Sequence, residues 1–226
     1  MNTIKKEHPI LFSAPMVRAL LDGTKTQTRR VLKQATGLSL SVGMDDDAPG
    51  VAELSWLWGD GPGHEVHETI KRVPCPYGQP GDQLWVRETH AIVPRTAYAH
   101  SEGVQQTLRP DDPYEHDAAI YREGWTRSNG GFSWRPSIHM PRWASRISLE
   151  ITGVRVERLQ DISRDDAMAE GIVIQPDGGF GLADTTHYHF VDPRESYWSL
   201  WEAINGPGSV EANPWVWAVA FKVIKP

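Results

Sequence analysis

Residues 146–159 read RISLEITGVRVERL. Ile147, Leu149 and Ile151 alternate with polar residues, as in a strand with one buried face. The apolar set then resumes at Val154 and Val156, one residue out of phase. A parity slip at Thr152-Gly153 is what a β-bulge produces, so the stretch predicts a long bulged strand.

Other strands fall into place around it. PWVWAVAFKVI (214–224) is apolar on both faces, which predicts a central, well-covered strand. PGDQLWVRET (80–89) is a turn leading into a strand, with Leu84, Val86 and Glu88 on one face and Trp85 and Arg87 on the other. HPILFS (8–13) and TKTQTRRVL (24–32) read as two more strands.

Helices are few and well marked. SAPMVRALLDG (13–23) has Ser13 to cap it, Pro15 in its first turn and Gly23 after its end. ISRDDAMAEGI (162–172) pairs Ser163 with Asp166 as a capping box and closes on Gly171. DPRESYWSLWEAING (192–206) is capped by Asp192 and puts Tyr197, Leu200, Trp201 and Ile204 on one face. Residues 35–80, 94–136 and 173–190 are rich in turn formers and are expected to be irregular insertions. The pattern predicts an α+β fold: a small β-barrel or curled sheet with helices at its mouth, as one domain over residues 1–226.

Bulk properties narrow the function. The 226 residues carry a net charge of -6, which disfavours an extended duplex DNA partner and suits a small ligand or a few nucleotides. No apolar run reaches about 18 residues, so no membrane span is expected. The single Cys75 permits no internal disulfide, and the cytoplasm is the expected compartment. His64 and His67 before Cys75, and His187 with His189, lack the ordered ligand pairs of a zinc site, so neither metal nor cofactor is expected.

DGTKTQTRR (22–30) clusters Lys25, Thr28, Arg29 and Arg30. On spacing alone this is either a solvated edge or a site for something electron-rich. Trp85, Arg87 and Glu88 offer a stacking ring, a cation and an acceptor, or else a core Trp beside an ion pair. Arg142 and Arg146 flank Trp143 and suit nucleotides and ion pairing equally well.

The spacing Gly23-x-Lys25-x-x-Thr28-x-Arg30 resembles the signature of the ASCH family, relatives of the PUA-type RNA-binding barrel. PGDQLWVRE, MPRWASRISLEI, DISRDDAMAEGI and ANPWVWAVAFKVI resemble, in order, blocks of the larger phage and prophage members. Many members have Glu where this chain has Thr28. A small bacterial branch has Lys followed by Thr, and is known as an amidohydrolase that removes acetyl from N4-acetylcytidine.

The resemblance implies a PUA-like barrel with long insertions and a catalytic set of Lys25, Thr28 and Glu170. Arg29, Arg30, Trp85, Arg87, Glu88, Arg142 and Arg146 become candidate substrate contacts. Partners implied are a nucleoside or short RNA. The alternatives are an RNA- or modified-base-binding module, including a ribonuclease, and a phage protein that binds a host partner.

The chemistry is coherent. Threonine attacks an amide carbonyl only if a base takes its proton. Lysine can be that base when burial and neighbouring cations lower its pKa. A strict strand would put Lys25 and Thr28 on opposite faces, so Lys25 must precede the regular strand.

Overall fold

The computed structural model describes residues 5–35, 41–58, 66–110, 117–128, 131–182 and 190–225. It is a mixed α+β protein dominated by sheets, with few helices. The main sheet has five strands, numbered in chain order with the eight strands introduced below: β1 (Glu7–Leu11), β2 (Gln27–Val31), β6 (Gln83–Arg87), β10 (Ser148–Arg158) and β13 (Trp215–Lys225). Their order is β1-β6-β10-β13-β2, with β1 and β6 parallel and the remaining pairs antiparallel. The four predicted strand stretches around residues 25–33, 83–89, 146–157 and 214–224 thus share one sheet.

The parity slip in residues 146–159 has its structural counterpart. The β10–β13 register shifts between Ile151 and Gly153, so Ile151 faces Phe221 and Gly153 faces the next residue back, Ala220. Val216, Trp217, Ala218 and Val219 of β13 are all buried, as its two-sided apolar run requires.

Three helices attach to this sheet. Helix α1 (Ala14–Leu21) is followed by Asp22 at its C-cap and then by Gly23, whose φ of +73° suits glycine. Ser13 sits at its N-cap position, but its side chain makes no capping hydrogen bond, contrary to expectation. Helix α2 (Arg164–Ala169) has half of its predicted capping box: Ser163 accepts from the Asp166 N–H. The Asp166 carboxylate does not return the bond; Arg155 and Gln27 donate to it instead. Helix α3 (Pro193–Asn205) is capped by Asp192 and buries Tyr197 and Trp201, while Ile204 is exposed.

The three expected irregular insertions need correction. Within 35–80, β3 (Ser41–Met44), β4 (Val51–Trp58) and β5 (Val66–Pro74) form an antiparallel sheet. Val42, Ala52, Leu54 and Val73 share a core with Ile10, Leu84, Val86, Leu149 and Trp217, so this segment belongs to the main core. Within 94–136, β8 (Gln106–Leu108) and β9 (Asp117–Tyr121) pair with β7 (His90–Pro94), order β7-β9-β8. Within 173–190, β11 (Ile172–Ile174) and β12 (Phe180–Leu182) form a hairpin. The described residues of these segments are short strands between turn formers, with Val42, Ala52, Leu54, Val73, Ala118 and Ile120 buried.

No helix among the described residues is long and apolar enough to cross a membrane.

Candidate active site

After Gly23 the chain turns back on α1, and the N–H groups of Thr24 and Lys25 both donate to the Ala19 carbonyl. Lys25 then pairs with Glu170 as an isolated bridge, and β2 begins only at Gln27. Lys25 therefore precedes the regular strand, as the chemistry demanded. Glu170 is the C-cap residue of α2. Gly171 follows with φ +102°, and a Cβ there would lie 3.2 Å from the Ala19 Cβ and 3.7 Å from the Lys25 Cβ. Glycine thus lets α2's end close onto α1 and Lys25.

Lys25 Nζ donates to the Glu170 carboxylate at 2.8 Å and to the Glu170 carbonyl at 2.8 Å. It is fully enclosed, and Glu170 is 2 % exposed. Burial pushes the Lys25 ammonium below its usual value of 10.5; Glu170 opposes this, and Arg30 and Arg29 add to it. The anion at a helix C-terminus, unfavourable by itself, is compensated by two cations. The second is Arg29, whose Nη1 donates to Glu170 Oε1 at 3.1 Å.

The register explains how Arg29 is held. Arg29 and Arg155 both stand opposite Ala218, and Gln27 and Gly153 both stand opposite Ala220. Small residues on the intervening strand leave room for long side chains to meet across it. Arg29 Nε donates to Glu157 at 2.6 Å, and its Nη1 also reaches Gln27 at 2.7 Å. Arg155 completes the network by donating to Glu157 and Asp166 at 2.8 Å each. Gln27, Arg155 and Glu157 were not singled out in the sequence, and Asp166 was read only as a capping residue. Two residues apart on one strand, 155 and 157 share a face, and only strand order brings them to Arg29.

Thr28, Arg29, Arg30 and Glu170 line one cleft that opens to solvent. Its other wall is α3, through Tyr197, Leu200, Trp201, Ile204 and Asn205. Thr28 is buried and has no side-chain hydrogen bond among the described residues. Arg30 donates to the Leu11 carbonyl at 2.7 Å, and its guanidinium and the Lys25 ammonium both lie over the Phe12 ring, at 5.5 and 5.6 Å. Tyr197 and Trp201 were read only as a helix face; their place on the cleft follows from α3 packing beside β2.

The other candidate contacts do not line this cleft. The guanidiniums of Arg87 and Arg142 each lie over the Trp85 ring, at 5.5 and 5.9 Å. Arg142 forks onto Glu7 at 2.9 and 2.7 Å. Glu7 opens β1, whereas Phe12 follows its other end, roughly 16 Å away along an extended strand. Glu88 and Arg146 form a buried bidentate pair at 2.9 and 2.8 Å, beside a different cavity lined by Gln105, Tyr121 and Glu123. Their charges are spent on each other, which is why Trp-Arg interleaving overstated the site.

No cluster of metal-ligating groups occurs among the described residues. His64, His187 and His189 lie outside them, as does the His67 side chain. Cys75 is buried, and burial pushes its thiol up to about 11.

No protein-family model, curated protein or solved structure matches this chain.

Proposed function

We propose that the cleft is the active site of an amidohydrolase that removes an acyl group from an N4-acylated cytosine nucleoside, on a PUA-like curled sheet of the ASCH type. The observation that carries this reading is the Lys25–Glu170 pair, buried at 2.8 Å beside a cleft that Thr28 lines. A buried lysine with lowered proton affinity is a candidate base, and a threonine hydroxyl with no hydrogen bond among the described residues is a candidate nucleophile. The Arg30 bond to the Leu11 carbonyl ties edge strand β2 to the end of β1, which favours a barrel-like closure.

In the proposed reaction the neutral Lys25 amine accepts the Thr28 proton as Oγ1 bonds to the acyl carbon. The resulting oxyanion collapses, the C–N4 bond breaks, and the proton held by the Lys25–Glu170 pair moves to the leaving nitrogen. Water then attacks the threonine ester, the same pair taking its proton; the C–Oγ1 bond breaks, that proton returns to Thr28 Oγ1, and the carboxylic acid leaves. Donors for the oxyanion are at hand. Thr26 O accepts from Phe221 N and Leu32 N donates to Trp215 O. The antiparallel alternation then turns the N–H groups of Arg29 and Val31 away from β13, toward the open edge.

The test is to incubate the purified protein with N4-acetylcytidine and follow cytidine by chromatography. Release is expected, and it should vanish in Lys25→Ala and Thr28→Ala. A wild-type protein that binds the nucleoside without releasing cytidine would point to a binding module instead.

A further inference from the structure

We infer that the cleft recognises its ligand through two carbonyl groups, one accepting from the Trp201 indole N–H and the other from Arg30 Nε. This rests on the cleft being the substrate site, and it names which features of the substrate the walls read.

Trp201 lines the cleft and is 5 % exposed, yet its indole N–H is buried with no acceptor among the described residues. Arg30 lines the same cleft, and its Nε is likewise buried without an acceptor. Buried donors of this kind are normally paired. The one carboxylate on the lining, Glu170, is already engaged by Lys25 and Arg29. The walls therefore offer hydrogen-bond donors to a ligand and no uncommitted anion, so the ligand must bring acceptors. The rest of the α3 wall is the Tyr197 ring and the aliphatic Leu200 and Ile204, which suit the flat face of a heterocycle, and the Asn205 amide, whose Nδ2 already donates to the Trp201 carbonyl.

An N4-acylated cytosine carries two carbonyls on one planar system, the ring C2=O and the acyl C=O. With the acyl carbonyl at Arg30, two residues from Thr28 along β2, the ring carbonyl falls to Trp201. An N6-acylated adenine has the acyl carbonyl but no ring carbonyl. The Trp201 N–H thus selects the pyrimidine.

The experiment compares wild type and Trp201→Phe, which keeps an aromatic ring and removes the donor. Binding of N4-acetylcytidine, cytidine and N6-acetyladenosine is measured by calorimetry, with turnover recorded separately. Losing one hydrogen bond should weaken N4-acetylcytidine and cytidine by about 2–12-fold and leave N6-acetyladenosine unchanged. In wild-type protein, the Trp201 indole N–H resonance should shift and gain exchange protection with cytidine; this readout stands even if the variant fails to fold. An equal effect on all three ligands, or no response of the indole N–H, overturns the inference while leaving hydrolysis intact. Selective binding without turnover overturns the hydrolase reading and leaves the recognition in place. Absence of binding by wild-type protein overturns both.

Discussion

Lys25 and Glu170, separated by 145 residues in sequence, meet through a 2.8 Å charge-assisted hydrogen bond with both side chains buried. Such a pair is costly to assemble and costlier to halve, because removing one partner strands the other's charge. Without Glu170 the stranded charge would be that of Lys25, because Arg29 keeps its bond to Glu157.

Glu170→Gln keeps the shape and an acceptor oxygen but removes the anion. It should destabilise the protein by about 3–5 kcal/mol, the usual consequence of breaking a buried pair. Urea unfolding monitored by tryptophan fluorescence measures this. A change below about 1 kcal/mol would mean that the pair is not holding α2 to the turn after α1.

How much of this was legible follows from how far each signal reaches along the chain. The bulge was readable because Ile151 and Val154 break a two-residue rhythm within one strand, and Gly153 marks the slip. Lys25's place before β2 was readable from Gly23 and the parity of Thr28. Glu170 came only through family resemblance, since nothing near it in sequence supplies its two cations. The sheet in residues 35–80 was hidden because turn formers flank VAELSWLW, whose Ala52 and Leu54 are buried. Trp85 and Arg142 looked like ligand contacts because a local pattern cannot show that Glu7, 135 residues away, already occupies Arg142.

Two ion pairs outside the cleft should separate stability from catalysis. Arg142 and Glu7 are each 43 % exposed, so Arg142→Ala should cost about 0–1 kcal/mol. Glu88 and Arg146 are buried, so Glu88→Ala should cost about 3–5 kcal/mol. Neither lines the cleft, and turnover per folded molecule should match wild type in both. A drop in kcat for Arg142→Ala at unchanged stability would return that surface to the substrate path.

Gly171→Ala tests the close approach of α2 to Lys25. The added Cβ meets the Ala19 Cβ at 3.2 Å, at a backbone φ of +102° that other residues rarely adopt. A cost of about 1–3 kcal/mol is expected, together with lost turnover as the end of α2, which carries Glu170, is displaced from α1. Gly153→Ala is the control: its Cβ would sit 3.8 Å from the Ala220 Cβ, an ordinary contact. Equal effects from the two variants would show that glycine at 171 matters only for the chain's general flexibility.

Lys25 carries the last prediction. Its proton affinity is lowered from 10.5 by burial, against the pull of Glu170. Below its folded-state pKa both folded and unfolded chains hold the proton, and the full burial penalty is present. Between that pKa and 10.5 the unfolded chain binds more protons, so stability contributed by this group rises with pH across that window. The neutral amine grows over the same range, and kcat/KM should rise with it and level off before 10.5. Lys25→Arg keeps a cation for Glu170 but supplies no neutral amine, because a guanidinium stays protonated in proteins. Turnover should fall by about 10²–10⁴ while much of the ligand affinity remains. Were Lys25 only a holder of the acyl carbonyl, arginine would serve nearly as well. The pH profile would then lose its rising limb without loss of rate. Measuring kcat, Kd and the profile on this one variant separates the two roles, and retained turnover would remove Lys25 as the base.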